Sequence, residues 1–159
     1  MNRHNLRAGT PADGKALLRV HRRAILAQRT AAYTDAEVRS WAAGLVADGY
    51  GEAMTDGGAA FLVAVDEEQR VVGFCSYKDN EVTGLYVDPA WSRRGVGRSL
   101  LRQAQAAIAA AGHDTVAVTA SLIAQTFYES EGYKCVLRKT WKTRGGLVID
   151  VPDMEKSLA

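Results

Sequence analysis

The sequence predicts a mixed α/β (α+β) fold, in which a mostly antiparallel central sheet of about six to seven strands is flanked by about four helices. Three apolar runs follow one another between residues 61 and 87 with only short turns between them, which indicates an antiparallel meander. A strand, a helix and another strand then occupy residues 81–119, and this order indicates a parallel pair with a right-handed crossover. The length of 159 residues suits a single domain spanning residues 1–159.

Capping signals predict the helices of the N-terminal third. Leu6–Ala8 is a short opening strand, after which Thr10 and the following proline predict a helix that runs to about residue 28. Thr34–Glu37 has the pattern of a capping box and predicts a second helix, whose apolar residues recur at helical spacing. Residues 47–58 carry four glycines and predict a loop with at most a short helix.

Alternation and turn signals predict the remaining strands. Gly84 lies in the middle of the strand at 81–87 and suggests either a bulge or the close approach of another group. After the crossover helix, β-branched residues alternate in a buried strand at 115–119, and a short helix at 124–131 stops at a glycine. The C-terminal segment then holds strand segments at 133–138, 139–143 and 147–151 around the turn Arg144–Gly146, and a tail at 154–158 that could add an edge strand.

Composition excludes several classes of function. Lys and Arg number 20 against 18 Asp and Glu, so the net charge is only +2 and no nucleic-acid partner is expected. The chain has no apolar N-terminal leader and no run long enough to span a membrane, so we expect a cytoplasmic protein without a membrane partner. Cys75 and Cys135 lie in apolar runs and are expected to be buried thiols, and the scattered histidines predict no metal site.

A glycine-rich loop leads into the crossover helix and is the clearest candidate for a binding site. Gly95 and Gly97 lack Cβ atoms, so an anion could approach the unpaired N–H groups of the first helical turn. Arg93, Arg94 and Arg98 cluster around these glycines and favour a phosphate ligand. The loop lacks the lysine of a P-loop and the third glycine of a Rossmann turn, and a plain flexible helix start remains the alternative.

The segments Leu85–Pro89 and Arg93–Leu101, followed by Ala124–Tyr133, resemble the GNAT superfamily of acetyl-CoA-dependent N-acetyltransferases. The resemblance covers nearly the whole chain and implies a GNAT-like acyl-CoA N-acyltransferase fold, with acetyl-CoA as co-substrate and an amine as acceptor. The family's pantetheine strand, pyrophosphate loop and following helix imply a set of coenzyme-binding residues. They are Leu85, Tyr86, Val87, Arg93, Arg94, Gly95, Val96, Gly97, Arg98, Ser99, Ser121 and Tyr128. Two positions depart from the family pattern, Ser92 in place of Gln/Arg and Ser121 in place of Asn.

The resemblance also implies catalytic roles for two residues. Tyr128 would protonate the departing thiolate, although a phenol in this position could instead be a core residue. Glu81 would deprotonate the amine directly or through water, although it could equally be a surface acid. No paired cysteine and histidine stand out, so we expect direct attack in a ternary complex without a covalent intermediate.

The acceptor itself is left open. The two N-terminal helices and the loop at 47–58 would line the acceptor side, with Tyr33 and Trp41 as possible walls, and the acids of the loop could attract a cationic substrate. Those acids are Asp48, Glu52 and Asp56. Family members often dimerise, so a homodimer is a further expectation. A non-catalytic acyl-CoA-binding regulatory module is the alternative function.

Overall fold

The computed structural model describes residues 3–159, which form one seven-stranded sheet and five α-helices. The strands are β1 (Asn5–Ala8), β2 (Ala60–Val65), β3 (Val71–Lys78), β4 (Glu81–Val87), β5 (Thr115–Thr119), β6 (Lys134–Lys142) and β7 (Val148–Ser157). The helices are α1 (Gly14–Leu26), α2 (Asp35–Ala42), α3 (Asp48–Thr55), α4 (Val96–Ala110) and α5 (Gln125–Ser130).

The sheet has the order β1-β2-β3-β4-β5-β7-β6. The strands of every neighbouring pair are antiparallel except β4 and β5, which are parallel and joined by α4. This arrangement confirms the predicted mixed, mostly antiparallel sheet. The additional helix is α3, which lies in the segment predicted as a loop with at most a short helix.

Local signals explain where the N-terminal helices begin. The backbone N–H of Thr34 donates to Glu37 Oε1 at 2.9 Å, and the N–H of Glu37 donates back to Thr34 Oγ1 at 3.1 Å. This reciprocal capping box starts α2 where the sequence predicts it. The first helix opens with a 3-10 turn over Pro11–Asp13, which precedes α1, and the N–H of Thr10 donates to Asp13 Oδ2 at 2.8 Å.

The C-terminal strands differ from the sequence prediction. The segments predicted at 133–138 and 139–143 are one strand, β6, and the segments at 147–151 and 154–158 are one strand, β7. The tail is not an edge strand, because β7 lies between β5 and β6. The two predicted segments of β7 lie on either side of Pro152, a residue type that normally ends a strand. In the structure Pro152 pairs with Arg138 inside β7, and a register shift between Cys135 and Leu137 lies just beyond it, opposite Asp153 and Met154.

The two cysteines have different environments, and the prediction for one of them is wrong. Cys75 on the central strand β3 is buried, as expected, whereas Cys135 is exposed because β6 is the edge of the sheet. Both thiols are free.

The core lies on both faces of the sheet. Helix α4 covers one face and buries Leu100, Leu101 and Ile108 against β3, β4 and β5. Helices α1, α2 and α3 cover the other face, where Leu17 packs near Phe74. Complete burial of each such large apolar side chain is worth about 1.5–3 kcal/mol, so both helix layers are firmly held.

Two irregularities in β4 open the centre of the sheet. On one side Thr83 is an extra residue opposite β3, since Ser76 pairs with Gly84 and Tyr77 pairs with Val82, so the bulge predicted near Gly84 is confirmed. On the other side β4 pairs with β5 only through Glu81 and Val82. The remainder of β4 therefore has an edge that β5 does not cover.

Candidate active site

A cavity of about 530 Å³ lies where β4 and β5 separate. It is lined by side chains from the α1–α3 side of the sheet, from both separating strands, and from α5 and the C-terminal hairpin. Representative lining residues are His21, Trp41, Tyr50, Phe74, Glu81, Leu85, Tyr86, Ser121, Tyr128, Trp141 and Arg144. The cavity therefore connects the α4–α5 side of the sheet with the side covered by the N-terminal helices.

Tyr128 on α5 is the predicted acid, and it lies at this cavity. Its side chain is only 4% exposed, and its ring packs edge-on against Phe127 and Tyr133, with ring centroids 5.2 and 5.3 Å away. Its hydroxyl makes no hydrogen bond to any other residue that the structure describes. Burial raises the pKa of Tyr128 well above its usual value, so the phenol stays protonated and can donate a hydrogen bond into the cavity.

Glu81, the predicted base, is placed at the exposed start of β4 and also lines the cavity. Within residues 3–159 its carboxylate forms no ion pair or hydrogen bond. It is therefore accessible to solvent and to a ligand, as a proton acceptor must be.

The glycine-rich loop has an open, strained backbone. Gly95 precedes α4 with φ +80°, and Arg93 also has a positive φ of 61°. A Cβ added at Gly95 would meet no heavy atom within 4 Å, so the space above this residue is open. Val96, which is 1% exposed, fixes the loop to the sheet beside Gly73. The N–H groups of the first turn of α4 can thus reach an anion in the open space.

The three predicted phosphate-binding arginines are not equivalent. Nε of Arg98 lies 3.2 Å from the buried carboxylate of Glu131, which Arg102 also contacts at 2.9 Å. Arg94 is exposed and lies over the ring of Trp91, with its Cζ 5.0 Å from the centroid. Arg93 is exposed and forms no ion pair among the described residues. Arg93 and Arg94 are therefore available to a ligand, whereas Arg98 already has a partner.

The predicted serines make local hydrogen bonds. Ser99 Oγ donates to the carbonyl of Val96 at 3.0 Å and lies 2.7 Å from Nε2 of His4. Ser121 is buried, lines the cavity and donates to Gln28 Oε1 at 2.8 Å. Ser92 Oγ donates to the carbonyl of Pro89 at 2.9 Å, so this departure from the family pattern stabilises the turn before the glycine loop.

The predicted residues at the end of β4 point to both faces of the sheet. Leu85 and Val87 pack in the cluster beneath α4, whereas Tyr86 packs against the α1 side. A Cβ on Gly97 would lie 3.6 Å from Val87 Cγ2, so the start of α4 approaches this end of β4 closely. The uncovered edge of β4 and the glycine loop therefore lie side by side.

An aromatic wall on the α1 side was mostly missed by sequence reasoning. The ring of His21 lies 4.2 Å from that of Tyr86, and Nδ1 of His21 lies 2.9 Å from the hydroxyl of Tyr50. Trp41, which the sequence suggested, lies 6.4 Å from both Tyr86 and Trp141. Burial lowers the pKa of His21 to about 3, so this imidazole is neutral at physiological pH.

Two other acceptor-side suggestions are not supported by the positions of their residues. Tyr33 is buried, and its hydroxyl donates to the carbonyl of Asp150 at 2.7 Å and accepts from the N–H of Leu122 at 2.9 Å, so it acts as a structural bridge. The acids of residues 47–58 are exposed on or beside α3 and do not line the cavity. These acids are Asp48, Glu52 and Asp56.

The thiols do not provide a nucleophile at this site. Burial raises the pKa of the Cys75 thiol to about 12, so it is not a thiolate at neutral pH. Cys135 lies away from the cavity on β6. Within residues 3–159, no cluster of three or more His, Cys, Asp or Glu side chains could hold a metal ion, and no helix is both long and apolar enough to cross a membrane.

Comparison with known proteins finds N-acetyltransferases that align with most of the chain. The Escherichia coli (strain K12) protein described as uncharacterized N-acetyltransferase YafP is 27% identical over 145 residues, which are 91% of each chain. A crystal structure from Rhodopseudomonas palustris, described as a GCN5-related N-acetyltransferase, is 28% identical with a TM-score of 0.87 and covers 97% of this chain and 95% of its own.

A second solved structure shows the fold alone. It is YncA of Salmonella typhimurium, a putative acetyltransferase solved with acetyl-CoA, which is 22% identical with a TM-score of 0.74, covering 99% of this chain and 95% of its own. Residues 29–158 match the family described as Acetyltransferase (GNAT) domain. The resemblance carried by the glycine loop and the α5 segment is confirmed, and the alternative of a non-catalytic module is not supported. This chain belongs to the GNAT family of acetyltransferases.

Proposed function

We propose that this protein transfers an acetyl group from acetyl-CoA to a primary amine by direct attack within a ternary complex. One observation carries the proposal: Tyr128, whose hydroxyl bonds to no described residue, lines the cavity that opens between β4 and β5. The neighbouring Phe127 approaches the start of α4, where its Cζ would lie 3.7 Å from a Cβ on Gly97. A hydroxyl at the position of Tyr128 could donate a proton to the thiolate that leaves when the thioester is cleaved. The fold of YncA, which was solved with acetyl-CoA, supports the choice of co-substrate.

The residues present fit the coenzyme. Its pyrophosphate would lie in the open space at Gly95, held by backbone N–H groups and by Arg93 and Arg94. Its pantetheine arm, which carries amides, would bond to the edge of β4 that β5 leaves uncovered beyond Val82. Coenzyme binding of this kind directs the acyl end toward Tyr128.

When bound, acetyl-CoA supplies an activated acetyl group as a thioester. A backbone N–H of Leu85 or Val87 would polarise the thioester carbonyl. Glu81 would accept a proton from the incoming ammonium through water, so that the amine nitrogen can form its bond to the carbonyl carbon. As the carbon–sulfur bond breaks, the nitrogen would lose its second proton to solvent and become a neutral amide, while Tyr128 would donate a proton to the sulfur and recover one from solvent.

Direct attack is favoured over a covalent acetyl-enzyme. The thiol nearest to the site, Cys75, is completely buried and protonated, and it has no paired histidine. The acetyl group would therefore pass to the amine in one step, after both substrates have been aligned in the cavity.

The experiment that tests the function measures release of CoA thiol from acetyl-CoA with a panel of primary amines, together with acetyl-CoA binding by calorimetry. We expect binding, and CoA release that depends on the amine. Acetyl-CoA binding without release for any amine would contradict the proposed transfer.

Three further properties are part of the proposal. Residues 1–159 act as a single domain, which the continuity of the seven-stranded sheet in residues 3–159 supports. The protein works in the cytoplasm, because its two free thiols suit a reducing compartment.

The protein forms a homodimer. The exposed apolar residues Val136 and Leu137 of the edge strand β6 offer a surface for it. Light scattering after gel filtration tests this oligomeric state.

A further inference from the structure

We infer that the acceptor is a small amine that carries a carboxylate and an apolar or aromatic side chain, that is, an amino acid or related amino carboxylate, and that Arg144 binds its carboxylate. This inference rests on the proposed acetyl transfer and names the class of its acceptor.

Much of the cavity lining is built from rings. They are His21, Trp41, Tyr50, Phe74, Tyr86 and Trp141. The ring centroids of Phe74 and Tyr86 are 5.6 Å apart, and those of Trp41 and Trp141 are 6.4 Å apart, so the rings contact one another as a continuous wall. Such a wall favours a ligand with an apolar or aromatic side chain.

This wall also carries a positive charge that pairs with no described residue. Arg144 lines the cavity with its Cζ 5.9 Å from the centroid of Trp141, and it forms no ion pair or hydrogen bond with any described residue. The other cation at the cavity, Lys139, is paired with Asp153 at 3.0 Å. Arg144 is therefore a free planar guanidinium beside an apolar pocket, and a carboxylate is the group that its fork of donors matches best.

The backbone of Arg144 is held in place by contacts on both sides. The N–H of Gly145 donates to the carbonyl of Ser40 on α2 at 2.9 Å, and the hydroxyls of Ser40 and Thr143 share a hydrogen bond. A Cβ on Gly145 would lie 2.8 Å from Ser40 Cα, so only glycine permits this approach. Because the hairpin is fixed to α2, the position from which Arg144 reaches the cavity is defined before a ligand binds.

Charge also argues against two other acceptors. A polyamine would place a second positive charge near Arg144. Among the described residues that line the cavity, Glu81 is the one carboxylate, and it is already assigned to the reacting amine, while Asp48, Glu52 and Asp56 lie outside the cavity. The terminal amine of a peptide has an amide where a free amino acid has its carboxylate, so it would leave the Arg144 guanidinium without an anionic partner.

The test uses matched amines with and without a carboxylate. The pairs are L-phenylalanine with 2-phenylethylamine, L-tryptophan with tryptamine, and L-leucine with 3-methylbutylamine. CoA release is measured for the wild type, for Arg144→Gln and Arg144→Lys, and for the control Lys142→Gln, which alters an exposed cation of β6 that does not line the cavity. Comparing each variant with the wild type on the same amine removes the effect of that amine's basicity.

We expect at least one amino acid to be a better acceptor than its carboxylate-free partner. Arg144→Gln should lower kcat/KM for that amino acid by about ten- to one hundredfold, because a charge-assisted hydrogen bond is lost, and should leave the carboxylate-free amine within twofold. Arg144→Lys should retain part of the activity, and Lys142→Gln should behave as the wild type.

A binding titration separates failure of this inference from failure of the proposed function. Quenching of tryptophan fluorescence reports amine binding, since Trp41 and Trp141 line the cavity. Amino-acid binding that Arg144→Gln abolishes, without CoA release from any amine, would support recognition by Arg144 and contradict acetyl transfer. Equal CoA release from both members of every pair, unaffected by Arg144→Gln, would overturn the inference and leave acetyl transfer intact. Absence of both binding and release for every amino acid would also overturn it.

Discussion

Nε of Arg98 lies 3.2 Å from Oε2 of Glu131, a carboxylate whose side chain is only 3% exposed. Arg102 contacts the other oxygen of the same carboxylate at 2.9 Å. Two arginines therefore compensate one buried charge between α4 and the end of α5. This relationship gives Arg98 a part in the packing of α4, in addition to the phosphate contact that its position in the glycine-rich segment predicts.

We predict that Arg98→Gln affects stability more than coenzyme binding. The free energy of unfolding should fall by about 1 kcal/mol, because Arg102 still pairs with Glu131, while the Kd for acetyl-CoA stays within about threefold. Arg93→Gln is the matched variant and should raise the Kd about three- to tenfold with little change in stability. Urea unfolding and calorimetry measure the two quantities, and the reverse pattern would contradict the assignment.

Gly95→Glu should abolish acetyl-CoA binding. The new carboxylate would stand in the open space proposed for the pyrophosphate, and like charges repel there. Gly112→Glu is a close control, because Gly112 lies just after α4 with a positive φ of 98° and also has no heavy atom within 4 Å of an added Cβ.

Both glycine variants should lose a similar stability, about 1–2 kcal/mol, since each forces a side chain into the left-handed region. Only Gly95→Glu should lose binding by calorimetry. Retained micromolar affinity in Gly95→Glu would remove the loop from the coenzyme site.

Glu81→Gln should lower the rate of CoA release most at acidic pH. There most of the amine is protonated, so removal of its proton limits the reaction and loss of the base is felt most strongly. Initial rates between pH 6 and 9, with Glu67→Gln in the exposed turn before β3 as the control, measure the effect. A decrease of equal size at every pH would mean that Glu81 does not act as a base.

The neutral His21 predicts a pH dependence of stability. Its pKa is lowered from 6.5 to about 3, so between these values the unfolded chain binds a proton that the folded protein does not. The free energy of unfolding should therefore decrease as the pH falls below 6.5. Between pH 7 and 5 the loss should be on the order of 1–2 kcal/mol, since the side chain is half-buried.

Urea unfolding at pH 7 and pH 5 measures this loss. His21→Gln should remove most of it, whereas His113→Gln, far from the cavity, should not. A loss that persists unchanged in His21→Gln would mean that other groups cause it.

The signals for the proposed coenzyme side are local in the sequence, so sequence reasoning could name its residues. Gly95, Gly97 and Tyr128 lie in short segments where residue type and spacing reflect the backbone conformation directly. The bulge near Gly84 was also predicted from one residue within a strand. The structure adds the partners of these residues, such as the buried Glu131 that engages Arg98.

The aromatic wall of the cavity was predicted poorly because it is assembled from distant parts of the chain. His21 comes from α1, Tyr86 from β4 and Trp141 from β6. The packing of α1 on β4 and the strand order β5-β7-β6 bring them to one cavity. The sequence analysis treated Arg144 only as part of the turn Arg144–Gly146, because no local signal places that turn beside α2 and the cavity. His21 lies on α1, and Gln28 lies just after its end. They are seven residues apart, a spacing that places two residues on the same face of a helix, and both line the cavity.

The most direct test of the account is the kcat of Tyr128→Phe compared with that of Tyr133→Phe. The two rings are neighbours, but the hydroxyl of Tyr133 donates to Gln105 Oε1 at 2.6 Å. Tyr133→Phe removes this hydrogen bond, so it should lower the free energy of unfolding by about 1–3 kcal/mol and change kcat little. Tyr128→Phe should lower kcat about 100-fold or more while the Kd for acetyl-CoA stays within twofold. An unchanged kcat in Tyr128→Phe at every pH would contradict the central claim that this phenol protonates the leaving thiolate.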